Sequence, residues 1–135
     1  MFASRLEHVT IERNYDPELP HISAYGSELN QVWTALIENA LESMNDMGTL
    51  RLVTKLNGSM ALVEVWDDGP GIDPAIRSRI FEPFFTTKAP GRGLGLGLDA
   101  VQRIVSKHSG FVTVESKPGA TCFQVRLPLD LAQAY

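Results

Sequence analysis

The sequence predicts an α+β fold: a two-layer α/β sandwich with one mixed, mostly antiparallel sheet and helices packed on one face. One long segment repeats apolar residues at i, i+3, i+4 spacing, as an amphipathic helix does. Two pairs of alternating segments flank hairpin turns, and helical and strand-like segments are interspersed along the chain. The 135 residues, 44% of them hydrophobic and 21% charged, suffice for a domain with a real core, and residues 1–135 read as one domain.

In chain order, "HVTIERNY" and "HISAY" read as short strands joined by the turn "DPELP". Ser27 reads as a helix N-cap. Leu29, Val32, Trp33, Leu36, Ile37, Ala40, Leu41 and Met44 then form the apolar stripe of a long helix, with Gly48 as its stop. "TLRLVTKL" and "MALVEVW" flank Asn57-Gly58, a strong hairpin turn. A Gly-Pro-Gly bend follows in "DDGPGI". Asp73-Pro74 predicts an N-cap and a first-turn proline for a short helix through Ile80. "FEPFFTTKAPGRGLGLGL" has no period and is rich in glycine. A second helix is predicted from about Asp99, its N-cap, to His108, with Val101, Ile104 and Val105 on one face and Gly110 as its stop. "FVTVES" and "TCFQVRLPL" close the chain as a hairpin around "KPGA".

Composition narrows the function. The formal net charge of −4 gives no electrostatic case for nucleic acid or an anionic membrane surface. Cys122 is the single cysteine, which excludes a disulfide framework and a thiolate metal cluster and makes a reducing, cytoplasmic setting the expectation. No stretch approaches the ~20 apolar residues of a membrane span. The first ten residues lack the apolar core of a signal peptide.

Three features suggest a binding site. Asn39 lies at the edge of the long helix's apolar stripe, beside Val32 and Leu36, where it is either a boundary polar residue or reaches a cleft at the core's rim. Asp67 ends an apolar strand and is followed by Gly69 and Gly71, which let the backbone turn tightly and a flat ring approach. A carboxylate there can accept a hydrogen bond from a planar ligand's amino group. Gly91 to Leu98, "GRGLGLGL", supplies bare N–H groups ahead of a helix start, an arrangement suited to anions. It also suits a hinge or a lid. The P-loop pattern is absent, and no strand leads into a dinucleotide fingerprint.

Taken in order, these segments resemble a known family. "ALIENALESM" resembles the N box, "DDGPGI" the first glycine box, "IFEPFFTTK" the F box and "GRGLGLGL" the second glycine box of the catalytic, ATP-binding domain of sensor histidine kinases, within the Bergerat-fold ATPases. "VQRIVSKHSGFVTVESKPGATCFQVRLP" is similar to the family's closing helix and hairpin. The resemblance covers nearly the whole chain. It implies that Asn39 binds Mg²⁺, that Asp67 accepts the adenine amino group, and that Gly69 and Gly71 pass close to the base. Ile72 and Phe84 would belong to the same pocket. Gly93, Gly95 and Gly97, with Leu94, Leu96 and Leu98, would offer backbone N–H groups to the phosphates, and Lys88 or Arg92 would touch them. ATP and Mg²⁺ are the implied cofactors.

The chain departs from the family's pattern at Ala35, where many histidine kinases carry Asn and the hydrolysing relatives carry a water-activating Glu. Leu94 replaces a common Thr or Ser, Asp99 a common Ser or Ala, and the loop between F box and second glycine box is short, as in nitrogen-regulator sensor kinases. His8, His21 and His108 lack the setting of a phosphoacceptor. The resemblance therefore implies a domain that is monomeric in isolation and transfers the γ-phosphate to a His on a separate helical hairpin, with a response regulator downstream. It implies no nucleic-acid partner and no membrane contact by the domain. A catalytically weakened nucleotide-binding module and an anti-sigma-type serine kinase share the fold; the F box favours the histidine kinase.

Overall fold

A computed structural model describes residues 7–17, 26–83 and 97–128. It contains strand β1 (His8–Asn14), helix α1 (Gly26–Ser43), strands β2 (Met47–Asn57) and β3 (Met60–Asp67), helix α2 (Leu98–Lys107), and strands β4 (Phe111–Lys117) and β5 (Ala120–Pro128). The strands form one five-stranded sheet in the order β1-β2-β3-β5-β4. β1 and β2 are parallel, joined through α1 as a parallel pair requires, and the other three pairs are antiparallel. This is the expected mixed, mostly antiparallel α+β architecture. The predicted strand "HISAY" lies outside the described residues.

Both helices pack on one face of the sheet. Leu29, Val32, Leu36 and Leu41 of α1, Met44 just past its end, and Val101, Ile104 and Val105 of α2 join Leu50, Val65, Val112, Phe123, Val125 and Leu127 of the sheet in one core. The alternation of each strand explains the set, since these sheet residues share a side of the pleat. One cross-strand row of that face runs Arg13, Leu52, Val65, Phe123 and Val114, and is apolar on the four strands from β2 to β4. The next row runs Ile11, Leu50, Asp67, Thr121 and Ser116. Apolar side chains give way to polar ones within it, so the core ends where Asp67 begins.

The opposite face carries long polar side chains over a thin apolar layer. Arg51 lies 5.0 Å from the Trp66 ring centre, the Trp66 Nε1–H donates to Glu64 at 3.3 Å, and Lys55 reaches Glu64 at 3.9 Å. Cys122 is fully buried, and burial, with the Glu64 and Glu115 charges adding, pushes its thiol up to about 12. A thiol so held is neutral and unreactive at physiological pH.

The helix ends differ from expectation for local reasons. α1 stops at Ser43, well before Gly48, which lies inside β2. The stop is a paired turn in which Asp46 N–H donates to Leu41 O at 2.8 Å and Asn45 N–H to Glu42 O at 3.1 Å. Asn45 adopts φ 54°, the left-handed conformation that asparagine tolerates, so no glycine is required. α2 ends in the same way, with Gly110 N–H donating to Val105 O and Ser109 N–H to Ser106 O. Ser109 is the left-handed residue there (φ 64°), and Gly110 is needed because a β-carbon would collide with the Arg126 carbonyl.

At the helix starts, α1 begins at Gly26, which places Ser27 within the first turn. Gly97 is the N-cap of α2, without a side-chain cap bond; Asp99 lies inside the helix, 3.8 Å from Arg103. A carboxylate in the first turn still favours the helix through its dipole. The segment after Asp73 is a turn and then a short 3₁₀ stretch, Arg77–Arg79, in place of an α-helix. Asp73 closes that turn, its Oδ1 accepting the Ala75 N–H at 2.9 Å, but it caps no helix: the 3₁₀ stretch begins after Ile76 without a side-chain cap bond.

Candidate functional site

The polar end of the helix-facing row is the candidate site. Asp67, the last residue of β3, is 4% exposed. Its Oδ1 accepts the Gly69 N–H at 2.9 Å, and the Ser43 side chain of α1 is also hydrogen-bonded to it. Burial pushes the Asp67 carboxyl up to about 6; the Gly69 N–H opposes this, the Asp68 charge adds to it, and the Ser43 bond opposes it. At neutral pH the group is an ionised acceptor. A carboxylate offers about four acceptor sites, so the two internal bonds leave capacity for a ligand donor.

Asp68 has a different task. It is exposed, and its Oδ2 accepts the Thr49 N–H of β2 at 3.0 Å. It also sits where a β-carbon on Gly48 would be, so the strand ends are clasped by Asp68 while Asp67 faces the site.

The glycines are fixed by close approach. A β-carbon at Gly69 would stand 2.6 Å from Ser43 Oγ and 3.0 Å from Asp67 Oδ1. Gly71 has φ +91°, and a β-carbon there would stand 2.7 Å from the Lys117 carbonyl. The loop is laced to the turn between β4 and β5. Gly119 N–H donates to Gly69 O at 2.9 Å, Ile72 N–H to Ser116 Oγ at 2.8 Å, and Arg77 Nη2 to Ser116 O at 2.6 Å. Ser116 and Thr121 share a hydroxyl–hydroxyl bond of 2.7 Å beside Asp67.

Asn39 lies one turn before Ser43 and so on the same side of α1, partly exposed. Ala35, a turn earlier, is 7% exposed and belongs to the core. Gly97 and Leu98 open α2. Phe84, Lys88, Arg92, Gly93, Leu94, Gly95 and Leu96 lie outside the described residues. Asp67, Gly69, Gly71 and Ile72 are thus brought into one loop against α1, with Asn39 along the helix.

Ser43, Ser116 and Thr121 were not singled out by sequence reasoning. Ser43 was findable as the i+4 neighbour of Asn39. Thr121 becomes Asp67's neighbour only through the register of β3 with β5. The histidines keep ordinary places among the described residues: His8 is exposed on β1, and His108 ends α2 with Nδ1 2.8 Å from Ile104 O. His21 lies outside them. Among the described residues, no group of three or more His, Cys, Asp or Glu side chains could hold a metal ion. Nor is any helix among them long and apolar enough to cross a membrane.

A buried strand-end carboxylate, a glycine loop fixed against a helix, and a glycine-led helix start, in that order, define an ATPase-type domain. The chain belongs to the histidine kinase-, DNA gyrase B-, and HSP90-like ATPase family, whose model matches residues 25–131. It is 42% identical over 135 residues to the sensory histidine kinase/phosphatase NtrB of Rhodobacter capsulatus, covering 90% of this chain and 38% of that protein. It is 39% identical over 117 residues to the signal transduction histidine-protein kinase AtoS of Escherichia coli, covering 85% of this chain and 19% of that protein. The chain therefore spans well under half the length of these relatives. Among solved structures, the catalytic domain of histidine kinase ThkA superposes with a TM-score of 0.83 at 28% identity, covering 94% of this chain and 84% of that one. Full-length ShkA in complex with AMPPNP gives 0.79 at 30% identity, covering 94% of this chain and 27% of that one. The expected fold and family are thus borne out.

Proposed function

We propose that residues 1–135 form the ATP-binding catalytic domain of a cytoplasmic two-component sensor histidine kinase, which transfers the γ-phosphate of ATP to a His on a separate helical hairpin and so feeds a response regulator. The observation that carries this reading is the Asp67 carboxylate, buried, ionised at neutral pH and with acceptor capacity to spare, beside two glycines that keep side chains out of its way. Asp67 accepts the adenine amino group, which discriminates against guanine because guanine presents a carbonyl there. Gly69, Gly71 and Ile72 border the base. The start of α2 at Gly97 and Leu98 faces the phosphates, where N–H groups and the helix dipole favour anions. The family resemblance assigns Phe84 to the base pocket with Ile72, and Lys88, Arg92 and the glycines and leucines from 93 to 96 to phosphate binding. The ShkA complex with an ATP analogue supports a nucleotide in this family's site.

Mg²⁺, when bound with the nucleotide, neutralises phosphate charge. Asn39 fits it as a hard oxygen donor, partly exposed on α1 one turn before Ser43, which stands against the Asp67–Gly69 loop. Asn39→Ala should therefore remove the Mg²⁺-dependent part of ATP affinity and leave the fold intact, because Asn39 borders the core without filling it. Titration with and without Mg²⁺ checks this; metal-dependent binding at wild-type strength would return Asn39 to the status of a boundary residue.

The chain's residues bind and orient ATP, but the position where hydrolysing relatives carry a water-activating Glu offers no base. Position 35, one turn before Asn39, is a core alanine. The domain alone should bind ATP as a monomer, turn it over very slowly and leave itself unlabelled. Adding the parent's acceptor hairpin should restore transfer, because holding the imidazole in line with the γ-phosphate is the missing element. Incubation with γ-labelled ATP, with and without the hairpin, tests this. Rapid turnover by the lone domain, or label on His8, His21 or His108, would contradict it.

A further inference from the structure

Arg77 opens the 3₁₀ stretch that follows the glycine loop, and the nucleotide reading gives it no task. Its Nη2 donates to the Ser116 carbonyl at 2.6 Å, a short, charge-assisted bond. β4 is an edge strand, and alternate residues of an antiparallel strand turn their backbone groups away from the partner. Ser116, next to the Lys117–Ala120 pair that closes the hairpin, is such a residue, so its carbonyl faces off the edge of the sheet, where Arg77 covers it. The Ser116 side chain is held as well: Oγ accepts the Ile72 N–H at 2.8 Å and shares the 2.7 Å bond with Thr121, the cross-strand partner of Asp67. Ile72 and Arg77 therefore grip one residue from the two ends of segment 72–77. Between them, residues 73–75 are exposed and fold on themselves through the Asp73 turn. Beyond Arg77 the chain has its own anchor, since Ile80 is buried and Phe81 stands edge-on to Phe123 with ring centres 6.3 Å apart.

We propose that Arg77 is a positioning residue for nucleotide binding: its guanidinium, without touching the ligand, clasps the Ser116 carbonyl and so fixes Ile72 and the glycine loop against the β4–β5 turn. This rests on the reading of the Asp67–Ile72 loop as the base site. Stability alone does not account for the residue. Arg77 Nε is buried without a hydrogen-bond partner among the described residues. A buried donor on a charged group is costly when it lacks an acceptor, and an apolar side chain of similar length would fill the place without that cost. The Ser116 carbonyl does not need the guanidinium for its own sake, because water can satisfy a carbonyl on a sheet edge. What the guanidinium adds is the tie between segment 72–77 and the hairpin. Its removal should therefore cost affinity and leave stability nearly unchanged, a dissociation that a purely structural residue would not show.

The test uses three variants of the 135-residue chain. Arg77→Met keeps the apolar stem, and Arg77→Lys keeps a cationic donor. Arg79→Met removes the same charge two residues away, where Arg79 pairs with the exposed Glu82 at 3.4 Å. Urea unfolding reports stability, and displacement of a fluorescent ATP analogue reports affinity for ATP, adenosine and GTP. Arg77→Met should unfold within about 0.3 M urea of wild type, because the lost bond to an edge carbonyl and the relieved Nε offset each other. Its affinity should fall about fivefold, the effect of one ordinary hydrogen bond, and by the same factor for ATP and for adenosine. Arg77→Lys should recover most of that loss, and Arg79→Met should bind ATP as wild type does. Three results would each overturn the proposal. A larger loss for ATP than for adenosine would make Arg77 a phosphate contact. Unchanged affinity in Arg77→Met, or an equal loss in Arg79→Met, would leave the clasp without a role in binding. A loss of affinity that follows a large drop in the urea midpoint and is not rescued by lysine would make Arg77 a structural residue. Wild type that binds GTP as tightly as ATP would instead remove the base-site reading on which the proposal rests, and that outcome is read in the wild type alone.

Discussion

Asp67→Asn should weaken ATP binding by about 1–3 kcal/mol, the scale of a hydrogen bond to a charged group, while Asp68→Asn does much less. Asparagine keeps the size of the side chain but removes the charge and turns half of its acceptor surface into a donor. The Gly69 N–H can still be satisfied by the remaining carbonyl oxygen, so the loop should keep its shape. Asp68 reaches out to the Thr49 N–H of β2, and its amide variant can accept the same bond. Titration of the three proteins with a fluorescent ATP analogue decides the matter, and equal losses in the two variants would remove Asp67 from its assigned role.

The same substitution has the opposite effect on stability. Burial raises the Asp67 carboxyl from 3.8 to about 6 in the folded chain. The folded state therefore binds this proton more tightly than the unfolded state does. Stability from this group is greatest below pH ~4 and is lost as pH rises through ~6, by about 3 kcal/mol for a shift of this size. Asp67→Asn escapes that loss. The variant should melt above wild type at pH 7.5, and the difference should shrink as pH falls towards 4. A carboxylate kept buried and charged lowers stability at neutral pH, and on the proposed reading Asp67 does so in order to hold a ligand.

Sequence patterns revealed the parts of this domain that depend on neighbours in the chain. The apolar stripe of α1 follows the 3.6-residue period, and the β2–β3 and β4–β5 hairpins follow alternation and turn residues, so both are set locally. Asn39, Asp67, Gly69 and Gly71 were legible because residue type and order carried them. What depends on distant contacts was not. Gly48 looked like a helix stop, but the paired turn at Asn45 and Asp46 ends α1 earlier, since asparagine also accepts a left-handed backbone. Asp99 looked like a cap and instead lies in the first turn of α2. The neighbours of Asp67, Thr121 across the sheet and Ser43 across the helix interface, stand 54 and 24 residues away in sequence, and only the sheet register and the helix packing bring them in.

Gly71→Ala should damage both the fold and the site, and Gly119→Ala separates the causes. The two glycines have nearly the same left-handed backbone, φ +91° and +88°. A β-carbon at Gly119 meets nothing within 4 Å, whereas at Gly71 it stands 2.7 Å from the Lys117 carbonyl. Alanine at Gly119 therefore adds only backbone strain, about 1–3 kcal/mol. Alanine at Gly71 adds the same strain and must also push the loop away from the β4–β5 turn. Backbone cannot yield as a side-chain tip does, so the bonds from Ile72 to Ser116 and from Gly119 to Gly69 are disturbed together. Asp67 lies four residues before Gly71, and Gly69 holds its Oδ1. The displacement therefore reaches Asp67, the proposed adenine acceptor. Gly71→Ala should be less stable than Gly119→Ala in urea unfolding, and at temperatures where both are folded it alone should lose ATP affinity, by about tenfold if one hydrogen bond is misaligned. Equal stability losses, with binding untouched in both variants, would mean that the Lys117 contact relaxes freely and that the loop's attachment to the hairpin does not position Asp67.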